Sequence, residues 1–190
     1  MGAIPTRGAN MIKAVVFDID GVLLDSFDAN LRFFQTLMVK FGFKPPTKRD
    51  YANIFHMPML DVIKTFAGNT GEDKVKEIFE AGLKRDDAAN DARYPIELLK
   101  IPEGAHEVVK TLSQKYPITI VTSRVKEGIY TLPSLAEMQK YIQVTISYQD
   151  TKNHKPHPEP LLLAAERLDV KSEEVVYRRY QNRYYGCQSC

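Results

Sequence analysis

The sequence has no long apolar run. No stretch approaches the roughly 18 apolar residues that a membrane-spanning helix needs, and the first ten residues lack the apolar segment of a secretory signal. We therefore expect a cytoplasmic protein without a membrane partner. The net charge is only +2, so the chain also lacks the basic surface that is typical of nucleic-acid-binding proteins, and we expect no nucleic-acid partner.

Several common binding motifs are missing as well. The chain has neither a Walker A loop nor a GxGxxG sequence. The segment AHEVVK at 105–110 fails the HExxH zinc pattern, because its last residue is Lys110. Cys187 and Cys190 have CxxC spacing, but no second pair accompanies them, so they are a weak zinc or redox signal.

The periodicity of apolar residues predicts an α/β fold. Short apolar, β-branched runs at 12–17, 117–123, 144–148 and 174–177 are typical of buried strands. Helical patterns separate these runs, and strands that alternate with helices favour a parallel, doubly wound sheet. Residues 27–97 contain only helical patterns, which indicates an all-helical insert after the first strand.

The helical patterns also predict helix starts and buried positions. A helix from Glu72 to about residue 91 is expected to turn Leu83 inward, and a later helix is expected to bury Val108. Ser26 can cap the first helix. Ser134 begins a capping-box pattern ahead of another helix.

The strongest chemical signal is FDIDG at 17–21. Asp18 and Asp20 follow the first strand, at the edge of an open α/β sheet where ligands bind. Side chains two apart in an extended segment point the same way, and neighbouring carboxylates repel unless a cation or a proton lies between them. Mg2+ suits such oxygens and usually also holds substrate phosphate. The alternative is two solvated aspartates in a turn at Gly21.

With the layout around it, the string VVFDIDGVLLDS resembles the first motif of the haloacid dehalogenase (HAD) superfamily, and within it the hydrolases similar to phosphoglycolate phosphatase. The resemblance implies a Rossmann-like core of residues 11–26 and 98–177 with an all-helical cap of residues 27–97. It implies that Asp18 attacks phosphorus and forms an aspartyl-phosphate, whereas Asp20 protonates the leaving group and then activates water. Asp18 and Asp20 are then also the implied ligands of the Mg2+ cofactor.

The resemblance also assigns phosphate-binding residues. Thr122 ends the strand ITIVT and is implied to bind a phosphoryl oxygen, to which the Ser123 backbone N–H can add a hydrogen bond. Lys155 in HKPHPEP is implied to offset the negative charge of aspartate and phosphate. Arg124 can face either the substrate or the solvent. The roles of the loop histidines and of three cap residues stay open: His154, His157, Arg49, His56 and Met57.

The resemblance stops after the fourth predicted strand. The fourth family motif would supply Gly-Asp and a further Asp as metal ligands, but no Asp or Glu occurs after Glu174. Arg178 and Arg179 stand there instead, so we expect the C-terminal part of the core to be truncated. We interpret residues 178–190 as a frameshifted reading of the motif. One allowed back-translation of this tail, read without its first base, encodes GDTRTDITAAKA.

These features predict a Mg2+-dependent phosphomonoester hydrolase that acts on a small phosphorylated metabolite. Loss of the fourth motif is expected to weaken metal binding and to leave this chain nearly inactive. A sugar phosphomutase, which uses the same aspartyl-phosphate, is one alternative, and a non-catalytic binding protein derived from such an enzyme is another. A sheet without its usual last helix and strand is expected to expose apolar surface and to self-associate.

Overall fold

A four-stranded parallel sheet forms the centre of the molecule. The computed structural model describes residues 11–84, 94–130 and 132–179, and the strands lie in the order β3-β2-β1-β4. They are β1 (Ala14–Phe17), β2 (Ile118–Val121), β3 (Ile142–Ile146) and β4 (Val175–Arg178). β1 lies at the centre, where Val15 pairs with Ile118 of β2 and Ala14 pairs with Val175 of β4. The parallel sheet predicted from the sequence is confirmed.

Helices connect the strands. The α-helices of the described residues are α1 (Phe27–Lys40), α2 (Lys48–Ile54), α3 (Met59–Ala67), α4 (Glu72–Leu83), α5 (Ala105–Ser113), α6 (Pro133–Ala136) and α7 (Glu159–Arg167). Helices α1 to α4 lie between β1 and β2 in the chain, as the pattern over 27–97 predicts. Local signals set some of their ends: the Thr47 hydroxyl accepts the Asp50 N–H at 3.2 Å where α2 begins.

The two faces of the sheet are covered by different helices. Successive strand residues point to opposite faces, and Val15 and Val16 of β1 accordingly belong to different apolar clusters. Val15 shares its cluster with Val109 of α5, whereas Val16 shares the other with Ala164 of α7. The sheet is therefore doubly wound, with helices on both faces, which is the arrangement that a parallel sheet needs in order to bury its strands.

Aromatic side chains join the helices of the insert to one another and to the sheet. The ring of Phe27 lies 5.4 Å from that of Tyr51 and 5.3 Å from that of Phe55, between centroids, in tilted arrangements that aromatic pairs favour. The apolar cluster that contains these rings continues to Val15 and Phe17 of β1. Apolar packing therefore does not separate a core from a cap, and the division into two domains stays a prediction.

Three local predictions are wrong. Leu83 at the end of α4 is 44% exposed, and Val108 on α5 is 48% exposed, because Val109 takes the buried side of that helix and consecutive helical residues point in different directions. Ser134 does not cap a helix, since α6 already begins at Pro133. The predicted extension of α4 to about residue 91 lies outside the described residues.

Two features of the surface concern contacts with other molecules. β4 is an edge strand in the described sheet, and its Val176 side chain is 41% exposed. Self-association through exposed sheet surface stays a prediction. Within the described ranges, no helix combines the length and apolar character needed to cross a membrane.

Candidate active site

Asp18 directly follows β1 at the carboxyl end of the sheet. Its N–H donates to the Arg178 carbonyl at 3.0 Å, which continues the pairing of β1 with β4. Its carboxylate accepts the Ile19 N–H at 2.8 Å and lies 2.7 Å from the Lys155 ammonium. Lys155 also donates to the Val121 carbonyl at 3.2 Å, which fixes the ammonium at the ends of β1 and β2. Burial raises the pKa of Asp18 above its ordinary value, while the charge of Lys155 opposes that rise.

Asp20 is bound by Arg124 at two points. Nε of Arg124 donates to Oδ2 of Asp20 at 2.9 Å, and Nη2 donates to Oδ1 at 2.7 Å, so the planar guanidinium matches the carboxylate. Burial alone would raise the pKa of Asp20, but the charge and hydrogen bonds of Arg124 lower it below its ordinary value. Arg124 is only 8% exposed. It therefore faces an internal carboxylate, whereas the sequence left it open between substrate and solvent.

Three further side chains surround this pair. Ser26 occupies the N-cap position of α1 as predicted, but its hydroxyl makes no capping bond and donates to Asp20 instead. The Tyr94 hydroxyl donates to Oδ1 of Asn30 at 2.6 Å. The same hydroxyl oxygen accepts a bond from Nη2 of Arg124 at 3.3 Å. Asn30 and Tyr94 could not be predicted from the sequence, because no motif or spacing links residues so far apart.

Thr122 and Ser123 follow β2 and lie at the same edge of the sheet. The Thr122 hydroxyl accepts the Arg124 N–H at 3.2 Å, which orders the turn after the strand. The Ser123 hydroxyl is buried and has no hydrogen-bond partner among the described residues, although Ser123 lines the central cavity. A buried hydroxyl without a partner costs free energy unless a ligand or water satisfies it. Ser123 is therefore the better placed of the two hydroxyls to bind a phosphoryl oxygen.

The two loop histidines beside Lys155 have partners of their own. The His154 ring stacks on Tyr148, with 3.9 Å between centroids, and burial lowers the pKa of His154. Nδ1 of His157 accepts the Glu159 N–H at 3.2 Å, at the start of α7. These contacts favour structural roles for both histidines.

β4 ends beside Asp18 without adding an acid. The Tyr177 hydroxyl is buried and unpartnered within the described part of the chain, and burial together with the charge of Asp18 raises the pKa of Tyr177. Arg178 and Arg179 are exposed. Residues 180–190, which include both cysteines and most of the tail interpreted as frameshifted, lie outside the described residues. The frameshift hypothesis stays a prediction.

A cavity opens between the carboxyl ends of the strands and the helices of the insert. Its empty volume is about 880 Å³, including open solvent at its mouth. Asp18 and Asp20 form part of its lining. Of the three cap candidates, His56 and Met57 line the cavity, whereas Arg49 is not among the described lining residues.

The oxygens near Asp18 decide whether Mg2+ fits this site. The Asp20 carboxylate is bound by Arg124, which leaves the Asp18 carboxylate, itself paired with Lys155, and the main-chain carbonyl of Asp20 as candidate protein ligands. Within the described residues, no cluster of three or more acidic, His or Cys side chains could hold a metal ion. This donor set fits an ion that keeps several waters and binds together with substrate phosphate, as Mg2+ usually does.

Sequence comparison identifies relatives of this chain. The family model for haloacid dehalogenase-like hydrolases matches residues 15–178. The pyrophosphatase PpaX of Bacillus cereus is 30% identical over 166 residues, which cover 87% of this chain and 73% of PpaX.

Solved structures share the fold. A candidate haloacid dehalogenase-like hydrolase from Bacteroides fragilis superposes with a TM-score of 0.73 over 87% of this chain and 77% of that one, at 21% identity. A candidate β-phosphoglucomutase from Thermotoga maritima superposes with a TM-score of 0.57 over 87% of this chain and 75% of that one, at 26% identity. The first similarity concerns the fold alone.

Proposed function

Because the chain belongs to the haloacid dehalogenase-like hydrolases, we propose that it hydrolyses a small phosphomonoester through an aspartyl-phosphate on Asp18. The observation that carries the proposal is the contact between the Asp18 carboxylate and the Lys155 ammonium, at 2.7 Å, beside the cavity. A nearby cation favours the charged form of a carboxylate and reduces its repulsion from an anionic phosphoryl group. Membership of the family supports a phosphohydrolase. The covalent intermediate on Asp18 and the class of substrate are what we propose in addition.

The reaction needs two displacements at phosphorus. In the first, an Asp18 oxygen bonds to phosphorus as the bond to the leaving oxygen breaks, and Asp20 gives that oxygen a proton. In the second, Asp20 takes a proton from water, whose oxygen attacks phosphorus and releases phosphate and Asp18. The pairing with Arg124 favours the charged form of Asp20, which suits the second displacement. Asp20 must therefore take up the proton for the first displacement when substrate phosphate approaches.

Phosphate and metal binding follow from the same strand ends. We assign Thr122, Ser123 and Lys155 to the phosphoryl oxygens, and Thr122 also orders the turn that holds Ser123. Asp18 and the main chain of Asp20 would hold Mg2+. When bound, Mg2+ neutralises charge that otherwise repels the attacking carboxylate.

Phosphate release from p-nitrophenyl phosphate tests this function. Because the chain has no Asp or Glu after Glu174, we expect only slow hydrolysis, which depends on added Mg2+, is abolished by EDTA and is restored by excess Mg2+. Because so few protein ligands are available, saturation should require millimolar Mg2+. Hydrolysis that is indifferent to EDTA would contradict the metal assignment, and absence of hydrolysis at any Mg2+ concentration would contradict the function.

A sugar phosphomutase is the second candidate, supported by the similarity to the Thermotoga maritima protein. A mutase depends on a sugar bisphosphate to form its phosphoenzyme, whereas a phosphatase releases inorganic phosphate without one. Phosphate release with no bisphosphate present would favour the phosphatase. A cytoplasmic location stays a prediction.

A further inference from the structure

Much of the cavity lining is apolar. Helices α1, α3 and α4 contribute Phe34, Met59 and Phe79, and the segment after α2 contributes Met57. Tyr148, which follows β3, adds to this wall, and its ring centroid lies 6.5 Å from that of Phe79. A leaving group bound against this wall would contact mainly carbon and sulfur atoms.

The positive charges of the lining are already engaged. Arg124 binds Asp20 at two points and donates to the Gly128 carbonyl at 2.8 Å. Lys155 pairs with Asp18. Among the described lining residues, His56 is the one further side chain that can carry positive charge, and it is an exposed residue of the insert.

From the apolar wall and the engaged cations we infer that the substrate is a monophosphate ester of a compact, uncharged alcohol with an apolar or aromatic body. The inference rests on the proposed phosphatase function and narrows its substrate. A second phosphate or a carboxylate on the leaving group would lose hydration, and among the described lining residues only the exposed His56 could offset its charge. A sugar would leave several hydroxyls unpaired against Phe34, Met59 and Phe79, and unpaired polar groups are strongly disfavoured in a closed site.

Turnover of three substrates tests the inference. Benzyl phosphate and 2-phosphoglycolate are both primary alkyl phosphates, so they differ chiefly in whether the leaving group is aromatic or anionic. We expect kcat/KM for benzyl phosphate to exceed that for 2-phosphoglycolate and for pyrophosphate by at least about ten-fold. Equal or better turnover of either anionic substrate would overturn the inference and leave the proposed function standing.

Binding of two non-hydrolysable analogues tests the inference separately from catalysis. Benzylphosphonate and phosphonoacetate have stable C–P bonds, so their dissociation constants can be measured by calorimetry whether or not the chain turns substrate over. We expect benzylphosphonate to bind at least about ten-fold more tightly. If no ester is hydrolysed, the proposed function fails, while this preference would still support the inference. Tighter or equal binding of phosphonoacetate, or no binding of benzylphosphonate, would overturn it.

A charge placed in the wall should change the preference. Met57→Lys adds a cation at a partly exposed lining position and should shift the affinity ratio towards phosphonoacetate by about ten-fold. Val39→Lys is the matched control, because Val39 lies on α1, is 54% exposed and does not line the cavity; it should leave the ratio unchanged. A ratio that Met57→Lys does not move, or that both variants move equally, would show that the apolar wall does not select the leaving group.

Discussion

The Arg124 guanidinium binds the Asp20 carboxylate through two hydrogen bonds of 2.9 and 2.7 Å, although 104 positions separate the two residues in the chain. The turn after β1 and the turn after β2 are thereby joined at the carboxyl edge of the sheet. Both the activity and the stability of the chain can be tested at these residues.

Asp18→Asn should remove phosphatase activity. An amide is a much poorer nucleophile than a carboxylate, and loss of a nucleophile commonly lowers the rate by more than about 1,000-fold. Initial rates of phosphate release at saturating Mg2+ measure the effect. Asp28→Asn is the control, because it makes the same chemical change on a carboxylate that is 67% exposed, and it should retain the native rate. An Asp18→Asn protein with native turnover would exclude the aspartyl-phosphate route.

Arg124→Met should lower the free energy of unfolding by about 3 kcal/mol, because it leaves the Asp20 carboxylate largely buried and unpaired. The double variant Asp20→Asn, Arg124→Met should recover part of that loss, since it removes both charges of this pair. Urea denaturation at neutral pH measures both values. Lys48→Met is the control on a salt bridge whose two side chains are both mostly exposed, 61% for Lys48 and 67% for Asp28, and it should cost about 1 kcal/mol or less. Equal losses in Arg124→Met and Lys48→Met would contradict the importance of burial.

Asp150 should contribute stability that disappears in acid. It follows β3, and its carboxylate accepts the Ser147 N–H at 2.8 Å and a hydrogen bond from Arg167 at 3.2 Å. Burial opposes the charged form, but these bonds and the Ser147 hydroxyl lower the pKa of Asp150 from 3.8 to about 2. A depressed pKa stabilises the folded state above the unfolded value, and that contribution is lost as the pH falls towards the folded value.

The variant Asp150→Asn measures this contribution. At neutral pH it should be less stable than the native chain by about 2 kcal/mol, because one pKa unit corresponds to about 1.4 kcal/mol. The difference should shrink between about pH 4 and pH 2, as Asp150 becomes protonated in the native chain. Urea denaturation at several pH values gives both curves, with Asp28→Asn as the exposed control. A difference that stays constant down to pH 2 would contradict the assignment.

Gly82 should be intolerant of a larger side chain. A Cβ atom at Gly82 would lie 3.3 Å from Cδ2 of Leu37 and 3.3 Å from Sδ of Met59, so α4 approaches α1 and α3 closely at this point. Gly82→Val should lower the free energy of unfolding by about 1–3 kcal/mol through overpacking. Lys76→Val places the same residue on the same helix where the side chain is 74% exposed, and it should cost less than about 1 kcal/mol. Comparable losses at the two positions would indicate that α4 can move away from its neighbours.

The sequence predicted the residues that follow strand ends better than it predicted their partners. Asp18, Thr122 and Lys155 lie together because parallel strands meet at their carboxyl ends, and that rule applies before any coordinates are known. The partner of Arg124 could not be predicted in the same way. An arginine side chain is long, and its direction depends on which groups tertiary packing places within reach.

Helical periodicity likewise predicted which face of a helix is buried, but not where along the helix that face ends. The burial of Val75 and Ile78 on α4 follows from their spacing, whereas Leu83 lies at the helix end, where the apolar face leaves the cluster. Tyr94 and Asn30 meet only because the segment before α5 returns to α1. Neither residue belongs to a motif, so the hydrogen bonds around Asp20 can be identified only from the folded structure.

The central position of β1 also affects the order in which the chain can fold during synthesis. Ala14 is among the earliest described residues to leave the ribosome, but its partner Val175 in β4 is among the last. Until then one edge of β1 has no neighbour, and an open strand edge can pair with another nascent chain. Arrested chains that end before Val175 should therefore remain sensitive to protease near β1, whereas chains in which β4 has emerged should be protected there.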